Sequence, residues 1–189
     1  MAAKNVSGNV PFICFVNSDI EEHPQSSIAQ MVNAFQQMPN IGVVGPKLLF
    51  PNNTIQSCGG YYDRDRGPYH RYLNFNVDYE AACTSGVVPW ITGALIMTPK
   101  ALFDSLGGFD EEYKRGYFED VDYCERVKQQ SQVVWYEASS VFIHQVGQST
   151  KTRTDQFEAS RQFRQNSVRF HKTWDAHINP NVGGKMVPY

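Results

Sequence analysis

The run Val10–Val16, "VPFICFV", constrains the fold more than any other stretch. It is continuously apolar between Asn-rich polar segments, the pattern of a strand buried on both faces of a parallel sheet rather than one alternating between core and solvent. It ends abruptly in "NSDIEEHP", so the buried strand runs straight into a polar loop. In open α/β sheets ligands sit outside the carboxyl ends of strands, which makes Asn17, Ser18 and Asp19 a candidate site. The same three residues also favour a plain turn, and the tripeptide alone does not choose between the two.

The following segments alternate. Ser26–Met38 places Ile28, Met31, Val32, Phe35 and Met38 on one helical face, with Ser26 or Ser27 as N-cap and Pro39-Asn40 as the stop. "IGVVG" and "KLLF" read as two short strands, "VVPWITGALIMTP" as one or two more, and "QVVWYE" and "SVFIHQ" as two again. "TPKALFDSLGG" reads as a short helix capped by Thr98, with Pro99 in its first turn and Gly107 at its end. Asp155–Trp174 reads as a basic amphipathic helix with Phe163, Phe170 and Trp174 on its apolar line. Helix and strand in alternation give the α/β class. Residues 61–85 are polar, aromatic and aperiodic, which predicts a substrate-facing loop.

Composition excludes several functions. At 189 residues the chain can bury a core without disulfide staples. With 17 Lys+Arg against 19 Asp+Glu, and no basic stripe interleaved with aromatics before the C-terminal segment, a nucleic-acid partner has no electrostatic footprint. Cys14, Cys58, Cys83 and Cys124 form no CxxC pair and read as reduced thiols of a cytoplasmic protein, the first and last packed as small hydrophobes. No stretch approaches the ~18 apolar residues of a membrane span, although the basic C-terminal helix could touch an anionic inner membrane face.

"YFEDVDYCERVKQQ" crowds Glu119, Asp120, Asp122 and Glu125 into one helix start. Carboxylates there are stabilised by the helix dipole, and Asp122 can pair with Arg126 at i+4, so a solvated, capped helix accounts for most of them. Asp120 arrives from the glycine-punctuated "GGFDEEYKRGYFED" and can serve as a general base that the helix N-terminus keeps ionised. His144 closes an apolar strand, where a histidine is more often structural than a ligand. Together with Asp19 it could hold a divalent ion on a diphosphate.

Taken in order, "FICFVNSDIE", "VVPWITGALIMTPKALFDSLGGFDEEYKRGYFEDVDYCERVKQQ" and "VVWYEASSVFIHQVGQS" resemble the family 2 inverting glycosyltransferases of GT-A fold, closest to their rhamnosyltransferase-like branch. The resemblance runs from about residue 10 to about residue 175. It implies a partial GT-A (nucleotide-diphospho-sugar transferase) fold, a mixed sheet flanked by helices, over 1–175, with 176–189 as a loose tail. It also implies metal-dependent transfer of a sugar from a nucleotide-diphosphate sugar to a glycan or lipid-linked hydroxyl acceptor in polysaccharide or cell-surface glycan synthesis. In that family pattern Asp19 is the last acid of the DxD-type motif and binds Mn²⁺ or Mg²⁺, His144 completes the metal site, and Asp120 is the catalytic base. Asn17, Trp90, Thr92, Gly93, Ala94 and Glu119 line the donor and acceptor pocket.

Two departures stand against the pattern. Asn17 replaces the first acid of the metal motif. The strands that bind the nucleobase in the family have no counterpart before residue 10, so this chain resembles the C-terminal two-thirds of the family domain. An open edge beside "PFICFV" then predicts self-association or an N-terminal partner. The alternative reading is a non-catalytic carbohydrate-binding or assembly module derived from such an enzyme. A hydrolase reading lacks a second metal cluster or a nucleophile elbow.

Overall fold

A computed structural model describes residues 10–63, 67–114, 116–145 and 153–178. The apolar run forms β1 (Phe12–Val16), followed by β2 (Ile20–Glu22) and α1 (Ile28–Gln37). Ser27, one of the two expected caps, accepts from the Gln30 N–H. Then come β3 (Ile41–Leu49), β4 (Ile55–Ser57), the hairpin β5 (Gly60–Asp63) and β6 (Gly67–His70), β7 (Gly86–Val87) and β8 (Leu95–Pro99). The chain continues through α2 (Lys100–Ser105), α3 (Glu119–Gln129), β9 (Val133–His144) and α4 (Arg153–Ile178).

The main sheet has the order β1-β8-β3-β9-β2, with β4 beside β3 and β7 beside β9. β3 and β9 run parallel while the other pairs are antiparallel, so the sheet is mixed. Every residue of β3 is buried because both faces are covered. Val44 and Leu48 pack against Met31 and Ala34 of α1, whereas Val43 and Leu49 belong to the larger core with Val121, Cys124 and Val127 of α3 and Phe170 and Trp174 of α4. Among the described residues β1 is bonded to β8 alone and forms one edge of the sheet, so the open edge expected beside "PFICFV" is present. The strand is antiparallel and not buried on both faces: Ile13 is its one buried residue and Val16 is exposed, because an edge strand lacks a neighbour to cover it.

Three local expectations change. The two strands expected on either side of Pro46 are one strand, and "QVVWYE" with "SVFIHQ" is likewise one. β3 and β9 pair along their length and absorb their irregularity in a register shift between Pro46 and Lys47, so a local break in pattern becomes a bulge instead of an end. Thr98 does not cap α2. It lies in β8, buried, donating to the Gly42 carbonyl at 2.8 Å and bonded to the Tyr123 hydroxyl at 2.7 Å, while Pro99 occupies the cap position. Residues 61–85 carry the β5–β6 hairpin, a 3-10 turn at Glu80–Ala82 and an aromatic cluster of Tyr72, Phe75 and Tyr79. α4 extends through Ile178, and the remainder of the expected tail lies outside the described residues. No helix among the described residues is long and apolar enough to cross a membrane. All four cysteines are free thiols; Cys58 and Cys124 are buried.

Candidate functional site

A cavity of about 530 Å³ opens where β1 and β9 end and α3 begins. Its wall gathers residues from distant parts of the chain: Asn17 after β1, Trp90, Thr92, Gly93 and Ala94 before β8, Gly116 to Val121 at the start of α3, and His144 at the end of β9. Hydrogen bonds close the frame. The Asn17 N–H donates to the Ala94 carbonyl at 2.9 Å, and the Gln145 N–H to the Asp19 carbonyl at 3.0 Å. The indole of Trp90 donates to the Tyr61 carbonyl at 3.2 Å. Its ring lies so close to Gly60 that a Cβ there would come within 1.8 Å of it. Only glycine lets the hairpin lie against this wall.

Antiparallel pairing of β2 with β9 sets Ile20 opposite His144, so the preceding Asp19 reaches the histidine. Asp19 Oδ1 is 3.1 Å from His144 Nε2, and His144 Nδ1 is 2.9 Å from Gln56 Oε1. Each ring nitrogen of His144 thus has one partner, Gln56 on one side and the Asp19 carboxylate on the other, which fixes the ring. An outer partner that orients a histidine in this way is the usual support of a metal ligand. Among the described residues no three His, Cys, Asp or Glu side chains group closely enough to hold a metal alone. The pair offers one hard and one borderline ligand, which fits Mn²⁺ or Mg²⁺ shared with phosphate oxygens.

On the opposite side, α3 begins without a side-chain cap, after Phe118. Asp120 Oδ2 accepts from the Gly93 N–H at 2.7 Å and Oδ1 from the Val121 N–H at 2.8 Å. Burial raises the carboxyl's pKa, opposing the expectation that the helix start alone keeps it ionised, and the two N–H donors pull the other way. Its neighbour Glu119 is pushed up to about 8, by burial first and by the Asp120 charge second, and its buried Oε2 has no partner among the described residues. The two carboxyls are adjacent and desolvated, so the charge of one opposes ionisation of the other, and the backbone donors favour the charge on Asp120.

Asp122 and Glu125 differ from their expected solvated state. They are 4% and 6% exposed. Asp122 pairs with Arg126 at 2.8 Å, as its spacing predicts, and also accepts from the Trp174 indole at 2.8 Å. Glu125 bonds the Tyr62 hydroxyl and Lys128. Neither lines the cavity.

The fold thus brings Asn17, Trp90, Thr92, Gly93, Ala94, Glu119, Asp120 and His144 to the lining of one cavity, with Asp19 bonded to His144. Sequence reasoning missed Gln56, His70, Tyr117 and Phe163, which line the same cavity. Burial, and then the charge of His144, hold His70 neutral, with a pKa lowered to about 4.

No protein-family model matches the chain. It is 25% identical over 190 residues to an uncharacterized protein, y4gI, of Sinorhizobium fredii, covering 90% of this chain and 20% of that protein. It is 33% identical over 118 residues to the O-antigen biosynthesis protein RfbC of Myxococcus xanthus, covering 60% and 9%. It is 25% identical over 150 residues to the N-acetylglucosaminyl-diphospho-decaprenol L-rhamnosyltransferase of Mycobacterium tuberculosis, covering 74% and 48%. The chain therefore spans less than half the length of each of these relatives. Among solved structures, GalNAc-T7 with UDP, GalNAc and Mn²⁺ superposes with a TM-score of 0.68 at 14% identity, over 94% of this chain and 35% of that one. The fold is of the GT-A glycosyltransferase type, and the sequence is similar to proteins named for rhamnosyl transfer and O-antigen synthesis.

Proposed function

We propose that this chain carries the metal and acceptor side of a family 2 inverting glycosyltransferase. The observation that supports this reading best is a single cavity lined both by His144, which is bonded to Asp19, and by Asp120, held by two backbone N–H groups. Mn²⁺ or Mg²⁺ held by Asp19 and His144 would neutralise the charge developing on a departing nucleoside diphosphate. Asp120 takes the proton from the acceptor hydroxyl as that oxygen bonds to the anomeric carbon on the face opposite the diphosphate. The bond from carbon to phosphate oxygen breaks in the same displacement, so configuration inverts. Trp90, Thr92, Gly93 and Ala94 floor the pocket for the sugars. The decaprenol-linked substrate in the name of the mycobacterial relative supports a lipid-linked or glycan acceptor. The side of β1 left unpaired among the described residues is where a further strand or a second copy would add, which size-exclusion chromatography with light scattering would reveal.

The test is a thermal-shift titration with UDP, dTDP and GDP, each with and without Mn²⁺. A ligand at ~100 times its dissociation constant adds about 2.7 kcal/mol. The expected result is a shift that needs both nucleotide and metal and is lost in Asp19→Ala. No shift with any pair would sink the donor-site reading. Glycan binding that survives both Asp19→Ala and Asp120→Ala would identify a carbohydrate-binding module instead.

A further inference from the structure

The turn that delivers Glu119 and Asp120 to the cavity is unusual. Gly116, Tyr117 and Phe118 have φ of +79°, +70° and +74°, three successive residues in the left-handed region, two of them bulky aromatics. Bulky L-residues adopt that conformation only where the surroundings enforce it. What surrounds it is Asn166 of α4, 2% exposed and far along the chain. Its Nδ2 donates to the carbonyls of Lys114 at 3.2 Å, Gly116 at 2.8 Å and Tyr117 at 3.0 Å. Its own carbonyl accepts from Gln162 Nε2 at 2.8 Å, one helical turn earlier, which orients the amide. Three backbone carbonyls, none of them in a helix or sheet ladder, thus converge on one buried amide group.

We infer that Asn166 is the positioning residue of the site: it holds the left-handed turn, and the turn aims Asp120 at the Gly93 N–H and stands Tyr117 beside Phe163 on the cavity wall. The consequences of the clamp are visible on both sides. Immediately after the turn, Asp120 Oδ2 meets Gly93 at 2.7 Å. The Phe118 ring packs on Phe163 and Phe170, with centroids at 5.1 and 5.4 Å, and Tyr117 meets Phe163 edge-on at 5.6 Å. Tyr117 and Phe163 stay 44% and 47% exposed, an aromatic shelf at the cavity of the kind on which a sugar ring stacks. No residue of α4 between Phe163 and Phe170 other than Asn166 contacts this turn through its side-chain amide among the described bonds. The inference deepens the glycosyltransferase reading, since aiming a base matters only if Asp120 is one.

Asn166→Asp is the sharpest variant. It keeps the shape, removes both N–H donors and turns a carboxylate toward three carbonyls. Gln162→Ala is the milder one, loosening the amide from the half-buried face of α4. On the full chain, backbone amide exchange and ¹³C carboxyl titration by NMR read the outcome without substrate. In Asn166→Asp, the Gly93 amide should exchange at least about tenfold faster and the Glu119 midpoint should fall toward the ordinary carboxylate range, while Val43 and Val134 in the sheet keep their protection. Gln162→Ala should move the same two probes less. Unchanged Gly93 and Glu119 in both variants overturn the inference. So does loss of protection throughout the sheet in Asn166→Asp combined with no local change in Gln162→Ala, because Asn166 would then serve only the packing of α4. Where sugar transfer is measurable, Asn166→Asp should lower kcat and leave KM for the nucleotide sugar unchanged. Absence of transfer in the unmodified chain would count against the glycosyltransferase reading and leave the NMR result to judge the clamp.

Discussion

The four carboxylates at the start of α3 divide into two pairs, Glu119 with Asp120 and Asp122 with Glu125, and the two pairs have opposite fates. Asp122 and Glu125 point into the core and are matched: Asp122 by Arg126, Trp174 and Tyr113, and Glu125 by Lys128 and Tyr62. Glu119 and Asp120 point at the cavity, and among the described residues neither has a cation beside it: Asp120 is held by backbone N–H groups and the Thr92 side chain, and the Glu119 Oε2 has no partner. Buried acids with cations build structure. Buried acids without them keep a titratable proton and a free lone pair, which is what proton-transfer chemistry requires.

The largest expected effect tests the unmatched pair. Asp120→Asn should cut sugar transfer by about 10²–10⁴-fold while leaving the denaturation midpoint at or above that of the parent, because it removes a desolvated charge. A loss of stability without loss of turnover would put Asp120 among the structural acids. Next comes the matched pair. Asp122→Ala leaves the Arg126 guanidinium without its carboxylate and should cost about 3–5 kcal/mol in urea unfolding. A neutral outcome would erase the distinction between the two pairs.

The pH dependence of stability sharpens the contrast. Glu119 titrates near 8 in the fold against an ordinary 4.5, so the folded protein binds more protons than the unfolded one across that window. Its contribution is complete below pH 4.5 and is lost as pH rises toward 8. Glu119→Gln should flatten this decline in unfolding curves taken from pH 5 to 8.5; an unchanged slope would mean Glu119 is ordinarily ionised. His70 acts with the opposite sign. Its depressed value of about 4, against 6.5, means the fold binds fewer protons there, so stability falls as pH drops through that range. His70→Asn should remove that acid limb. The smallest effect belongs to Lys128→Ala, about 1 kcal/mol or less, because Lys128 is partly solvated and Tyr62 remains bonded to Glu125.

Much of the site was legible before any coordinates. "FVNSD", "WITGA", "YFED" and the histidine ending "SVFIH" each sit at the end or start of an element, and in an open α/β sheet such positions converge. Asn166 also left a trace: it falls on the apolar line of α4, between Phe163 and Phe170, where a polar residue is out of place. Gln56 left none, since in "IQSC" nothing local distinguishes it from any polar strand residue.

Local pattern alone was enough for the class of the fold, the existence of strand β1, the amphipathic α1 and α4, and the Asp122–Arg126 pair, because hydrophobic period and i+4 spacing act over one or two turns of chain. Only the tertiary structure decided that Thr98 serves Gly42 and Tyr123 instead of capping a helix, and that β3 and β9 run on through Pro46 and Glu137. It alone decided that, among the described residues, Glu119 and Asp120 have no cation beside them while Asp122 and Glu125 do. Those outcomes depend on hydrogen-bond partners that lie tens of residues away, and a buried polar group is satisfied by whichever partner the packed fold brings to it, not by its neighbours in the chain.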